Sequence, residues 1–291
     1  MRKRAVAIMS EAKRPKPKSF MENFFKIKPT KPGEVYGVPG QGDSLLISAI
    51  SAGCIIAFWA LATWAGWIKP LFLPSPALTA QTGARMVVDG ELPNTIFVSM
   101  SRILTGWSLG GIVGAVLGIV LGRVRIARAI FLPVVEYLRF VPPVTLVSLF
   151  VIWFGVGETS KVVLIVWTVV FIVLVNTTAG AASVRDGTIR AARCLGATHA
   201  QVIMRVIIPE TVPYIVTGFQ IALGNAFMAI VAAEMLAAQS GVGYMIWNAQ
   251  VYAQVDRMFV GFVTLSLMGF LTDRFVYGLS RRLLGHYRIV G

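Results

Sequence analysis

Ile189-Arg190-Ala191-Ala192-Arg193-Cys194-Leu195-Gly196, then nine residues, then Val206-Ile207-Ile208-Pro209: this stretch lies between two runs of 23 residues without a charge, Val162 to Val184 and Thr211 to Ala233. A bilayer core is crossed by about 20 apolar residues in a helix. The stretch therefore connects two membrane-spanning helices. It is long for a connection, and its apolar residues recur at helical spacing: Ile189, Ala192, Leu195, then Val202, Ile203, Val206. Gly196 can end a first short helix in the left-handed conformation that a Cβ disfavours. Pro209 restricts the start of the next membrane helix. The spacing predicts two short helices projecting from the membrane with the small Ala191 and Ala192 exposed. A docking element for another protein and an ordinary interfacial loop both have this form.

Outward from the stretch, further uncharged runs follow the same rule. Ser44 to Ile68 is 25 residues, Ile103 to Gly122 is 20, and Phe140 to Gly157 is 18 after a mostly apolar lead from Ala129. Met258 to Thr272 is 15, and it reaches membrane length if Arg274 snorkels to the headgroups. The sequence reads as an all-α polytopic membrane protein with about six transmembrane helices, near residues 44–68, 95–122, 129–157, 162–184, 211–234 and 257–279. Residues 185–210 form the long loop, 1–43 a basic, proline-containing tail, and 281–291 a second tail. Two other connections are more than turns. A short helical pattern runs from Thr79 to Val88, and an aromatic stretch after Ser240-Gly241-Val242-Gly243 suits a short interfacial helix.

Composition and charge agree. Hydrophobic residues make up 56% and charged residues 14%, with a mean hydropathy of +0.73. Soluble domains carry roughly 25% charged residues, so lipid must cover part of this surface. The net charge is +14, but the basic residues sit in gaps between apolar runs rather than on a continuous face, which argues against nucleic acid. With the N-terminus inside, twenty Lys and Arg fall in the cytoplasmic segments and four outside. The positive-inside rule then places both termini in the cytoplasm. Cys54, Cys194, His199 and His286 show no disulfide or metal-ligand spacing. No phosphate-binding loop and no nucleophile–base set appears, so ATP hydrolysis, if it drives the system, lies on another chain.

The loop resembles the Glu-Ala-Ala loop of ABC importer permeases, in which Glu-Ala-Ala, three residues, Gly, nine residues and Ile-x-Leu-Pro recur. The match is at Ala191, Ala192, Gly196 and Pro209, conservatively at Val206 and Ile208, and Arg190 stands where that family has Glu. Leu73-Pro74-Ser75-Pro76, Leu138 to Pro143, Trp153 to Lys161, and Ala233-Glu234 through Ser240 to Tyr244 resemble the nitrate/sulfonate/taurine branch. The resemblance covers residues 70 to 285. It implies a type I ABC importer permease fold in a bacterial inner membrane and a homodimer of this chain. It also implies two ATPase subunits carrying the ATP and Mg, a periplasmic substrate-binding protein, and no cofactor on the chain itself. The loop residues Arg190, Ala191, Ala192, Leu195, Gly196, Ala197, Val206 and Pro209 would couple to the ATPase. The cargo implied is a small oxyanion, taurine or another alkanesulfonate first, with nitrate as the alternative. Transport would proceed by alternating access.

Individual polar residues carry two readings each. Glu136 and Arg139 share a helical face and form either a structural ion pair or part of a substrate path. Pro142-Pro143 kinks or breaks its helix, as an architectural bend or as a mark of a transport pathway. Asn176, Gln220 and Asn225 either line an aqueous cavity or bond between helices. Glu234 reads as a gate or a dimer contact. The glycines Gly106, Gly110, Gly114, Gly118 and Gly122 line one face and read as close helix packing. A stand-alone secondary transporter would show inverted repeats and paired intramembrane charges, and an intramembrane enzyme would show a convergent catalytic set. Neither pattern is visible, and neither class explains the long loop.

Overall fold

The computed structural model describes residues 45–69 and 71–284. The basic tail read over 1–43 and the last residues of the C-terminal tail lie outside them. The described residues form eleven α-helices: α1 Leu45–Trp64, α2 Pro76–Val88, α3 Glu91–Arg123, α4 Arg125–Leu138, α5 Pro143–Phe154, α6 Glu158–Ser183, α7 Asp186–Cys194, α8 His199–Val202, α9 Ile208–Ala237, α10 Val242–Val251 and α11 Val255–Leu284. Among the described residues, four helices are long and apolar enough to cross a membrane, and α4 with α5 would make a fifth. Helix α1 is a further 20-residue helix without a charge.

The centre is α3 lying parallel to α6. A Cβ on Gly106 would meet Ile165, one on Gly110 the Val166 carbonyl, one on Gly114 the Val170 carbonyl, one on Gly118 Thr177, and one on Gly122 Ala181. The glycine face thus rests directly on the α6 backbone over four turns, as small residues allow in membrane helices. At its far end Arg123 donates to the Ala181 carbonyl at 3.3 Å and lies 3.6 Å from Asp186. A cation there also suits the carbonyl end of the helix dipole. Helix α9 returns antiparallel against both. Tyr214 meets Gly180, Gly218 meets Val173, and the Phe219 ring covers Gly111. Phe219 packs edge-on to Trp107 at 5.1 Å, and the Trp107 indole donates to the Phe219 carbonyl at 2.9 Å. The main core is built from Ile165, Val169, Val173, Leu223, Ala226 and Ile230.

The break expected at Pro142-Pro143 is present, and two helices start earlier than the sequence reading placed them. The run near 129–157 is two helices, α4 and α5, bent by 102° at Arg139–Pro142. Pro142 is extended (φ −63, ψ 132) and Pro143 opens α5, because proline lacks an N–H and drives its predecessor out of the helical region. Helix α6 starts at Glu158, not near 162, and α3 at Glu91, not near 95, each with an acid in its first turn. The stretch after Ser240-Gly241 is a helix, α10, with one face buried: Val242, Met245 and Ile246 pack with Met86, Val260 and Met268, while Trp247, Gln250 and Val251 are exposed.

Gly114→Leu should therefore lower stability by about 1–3 kcal/mol or more, because its side chain meets backbone. Gly224, whose Cβ would meet open space, should accept Ala with no loss. Thermal unfolding of both variants in detergent checks the contrast.

Candidate functional site

At one end of the α3–α6–α9 bundle, Arg102 of α3 is enclosed at 3% exposure. It is the single charge between Glu91 and Arg123. All five of its N–H groups are used. Nε and Nη2 form a fork onto Glu158 at the start of α6, with Nη2 to Oε1 at 2.6 Å. Nη1 donates to Glu234 Oε1 of α9 and to the Ser240 carbonyl, both at 2.8 Å. Nη2 also donates to the Ser240 hydroxyl at 3.1 Å. A planar guanidinium suits this fixed set of acceptors.

Glu234, 0% exposed, has further partners. Ser99 donates to its carboxylate at 2.8 Å, and the Gly243 N–H donates to Oε2 at 2.9 Å. Ser99 in turn accepts from the Val242 N–H at 2.8 Å. Two N–H groups of the first turn of α10 are satisfied this way, so the network pins α10 to α3. Gly241, at φ +113, sits where a Cβ would collide with the Glu234 carboxylate. Lys161, buried beside them, donates to Glu158 at 3.0 Å. Two cations meet two carboxylates, which lets a buried ionic group persist.

At the opposite end, α7 leaves α6 and stops in a Schellman turn. The Gly196 N–H donates to the Arg193 carbonyl at 2.9 Å, and the Ala197 N–H to the Ala192 carbonyl at 3.0 Å, with Gly196 at φ +84. Ala192, Ala197 and Val206 pack with Ile189, Val202 and Ile207 against Ala181 and Val184. Ala192 is therefore half-buried rather than exposed. Leu195, read as part of the apolar stripe, is 90% exposed at the tip, with Arg190, Ala191 and Arg193 exposed around it. The second short helix is no separate projection. α8, capped by Thr198 and Gln201, runs through a π-helical turn, Ile203–Ile207, into α9. The π turn absorbs the missing N–H of Pro209 at the start of α9.

The family described as "binding-protein-dependent transport system inner membrane component" matches residues 110–285. The chain belongs to that family. The permease is 36% identical over 244 residues, 84% of its own length and 96% of the relative's, to a probable ABC transporter permease protein of Brucella melitensis. It is 36% identical to the taurine transport system permease protein of Escherichia coli, over 79% of this chain and 85% of that one. A nitrate import permease protein of Synechocystis is 32% identical, over 70% and 78%. The fold is that of type I ABC importer permeases. The membrane subunit of a bacterial alginate ABC transporter, solved with an alginate-bound periplasmic protein, superposes with TM-score 0.59 at 16% identity, over 83% of this chain and 99% of that one.

Within the permease the other sequence candidates are dispersed. Glu136 and Arg139 form no ion pair. Both are exposed, and Arg139, the C-cap of α4, lies over the Phe140 ring at 5.0 Å instead. Pro142 and Pro143 make the bend. Asn176 donates to the Ile172 carbonyl and Asn225 to the Ile221 carbonyl, each within its own helix rather than between helices. Gln220 lines a 680 Å³ cavity between α9 and α11, with Ser266 and Asp273. Glu234 faces the chain's own interior, so the dimer contact read for it is replaced by the bond to Arg102. Arg102 is not among the residues that the sequence singled out. Its signal was present, as a lone intramembrane cation requires a partner.

Arg102→Met should destabilise the permease by about 3–5 kcal/mol, since it strands a buried carboxylate. The double variant Arg102→Met/Glu234→Gln should recover part of that loss, and Glu158→Gln should cost less because Glu158 is 64% exposed. Unfolding midpoints of the three variants give the ordering.

Proposed function

We propose that the chain is the membrane-spanning subunit of an ATP-driven importer for a small oxyanion, taurine or another alkanesulfonate in first place. It works as a homodimer with two ATPase subunits, which carry the ATP and Mg, and a periplasmic binding protein. In this reading α1, α3, the α4–α5 pair, α6, α9 and α11 cross a bacterial inner membrane, with both termini cytoplasmic. The Arg102 network lies at the outer end and the Leu195 tip at the cytoplasmic end. The single observation that carries the reading is the built tip at Arg190–Gly196: an apolar side chain held out of the fold by a helix stop that packs straight onto α6 and α9. A tip so seated moves with the membrane helices rather than apart from them.

Alternating access then has a mechanical route. The ATPase pair displaces the tip, and α7 and the π turn pass the displacement to α6 and α9. At the other end those helices meet at Arg102, where α10 is tied to them. The relatives named for taurine, aliphatic sulfonates and nitrate support the cargo class. Nitrate through the same machinery is the second reading, favoured by the last of these.

Leu195→Asp tests the coupling reading, because a 90% exposed side chain contributes little to folding. The variant should keep the wild-type melting point and lose co-purification of the ATPase subunit by about tenfold or more, the scale of a hot-spot loss above 1.4 kcal/mol. Retention of a fully active ATPase complex would refute it. Uptake of labelled taurine and of nitrate into proteoliposomes of the whole assembly separates the two cargoes.

A further inference from the structure

Helix α4 buries one of its fourteen residues, Val135, which clusters with Leu121 of α3 and Leu174 of α6. Its companion α5 is seated differently. Val147 and Phe150 are buried against Leu164 and Ile165 of α6, and the Phe150 ring lies 6.1 Å from that of Trp167. A bend of 102° at Arg139–Pro142 separates the two helices. With α5 held in the bundle, α4 is turned across it, at the end where α3 stops.

The faces of α4 divide by chemistry. Ile126, Ile130, Val134 and Tyr137 recur four and three residues apart, on one side of the helix, and each is more than half exposed. Arg125 and Glu136 share a neighbouring face. A helix with an exposed apolar row beside basic residues has the form that lies in the plane of a membrane interface. Its start is strongly basic. Arg123, Arg125 and Arg128 fall within six residues. Arg123 is held by the Ala181 carbonyl and Asp186. Among the described residues, Arg125 and Arg128 have no hydrogen-bond or ion-pair partner. Arg128 is part-buried, with Nε enclosed and unbonded. The first turn of α4 has no acid and no side-chain cap, so the positive end of the helix dipole adds to these cations instead of offsetting them. The positive-inside rule accounts for cations in a cytoplasmic turn. It does not account for a guanidinium drawn into the fold without an acceptor, which is costly.

We propose that the start of α4 binds an anionic phospholipid of the cytoplasmic leaflet. Phosphate oxygens accept from Arg125 and Arg128, whose planar donor sets suit them. The acyl chains lie along Ile126, Ile130 and Val134. The apolar row is what selects a lipid over a dissolved anion, since free phosphate gains nothing from it. Within the bent pair, α4 is then the interfacial part and α5 the crossing part. The site goes beyond the importer reading and takes from it only the side of the membrane.

The test uses the full chain, with whatever subunits co-purify, in nanodiscs of mixed phosphatidylcholine and phosphatidylglycerol. Native mass spectrometry reads the lipids retained. Phosphatidylglycerol should be kept in preference to phosphatidylcholine, and added inorganic phosphate should not displace it. Arg125→Gln and Arg128→Gln should each weaken its retention about fivefold, the scale of one basic residue at an anionic leaflet. Melting points confirm that each variant is folded, and Arg125 is exposed, so its loss spares the core. Depth is read separately, from spin labels at Ile126→Cys, Ile130→Cys and Val134→Cys in a chain carrying Cys54→Ser and Cys194→Ser. An interfacial α4 gives three near-equal depths, whereas a helix crossing the bilayer deepens by about 12 Å over those eight residues. Equal retention of the two lipids, displacement by phosphate, or steady deepening from Ile126 to Val134 would each overturn the site. So would unchanged retention in both Gln variants. If the ATPase subunit is lost from those variants while the lipid stays, the surface belongs to that subunit instead.

Discussion

The absence of side chains along one face of α3 is the constraint from which the rest of the structure follows. Because Gly106, Gly110, Gly114 and Gly118 bring α3 onto the α6 backbone, the two helices behave as one double rod. Lipid supplies no hydrophobic force to join helices, so close van der Waals contact and buried hydrogen bonds must do so. The rod sets where everything else attaches. Helix α9 lies along it through Tyr214, Gly218 and Phe219, and Arg102 and Arg123, on the same α3, reach α6 at opposite ends.

Those two arginines do different work. Arg123 is half-exposed and steadies the point where α6 gives way to α7. Arg102 is enclosed and gathers three chain segments remote in sequence: the start of α6, the end of α9 and the turn into α10. Two of the four segments that carry the family resemblance, Trp153 to Lys161 and Ala233 to Tyr244, converge on this one guanidinium. In a low-dielectric interior a fully satisfied network is rigid, and a partly satisfied one is costly. Any movement of α6 against α9 at that end must therefore preserve or exchange whole sets of these bonds, which favours discrete arrangements over a continuum.

Local signals in the sequence were strong where one residue type dictates backbone form. Gly196 stops α7 because only glycine adopts its conformation without strain, and Pro142-Pro143 breaks the helix pair because proline removes a donor. The glycine spacing on α3 announced a contact face. The readings that failed were those needing a partner's position. Glu136 and Arg139 have the spacing of an ion pair, yet the guanidinium lies over the Phe140 ring instead. Asn176 and Asn225 each donate to a carbonyl of their own helix rather than across to another. Leu195 belongs to the apolar stripe by spacing, yet the Schellman turn rotates it out into the open.

Sequence alone determined the apolar runs, the basic gaps between them, the helix stops and the form of the loop, because each depends on hydropathy or on the conformational limits of neighbouring residues. Only the tertiary structure decided which charges meet. Arg102, Glu158 and Glu234 lie 56 and 132 residues apart along the chain, and no periodicity links them. Their pairing comes from the parallel seating of α3 on α6 and the antiparallel return of α9, which bring the three charged groups together at one end of the bundle.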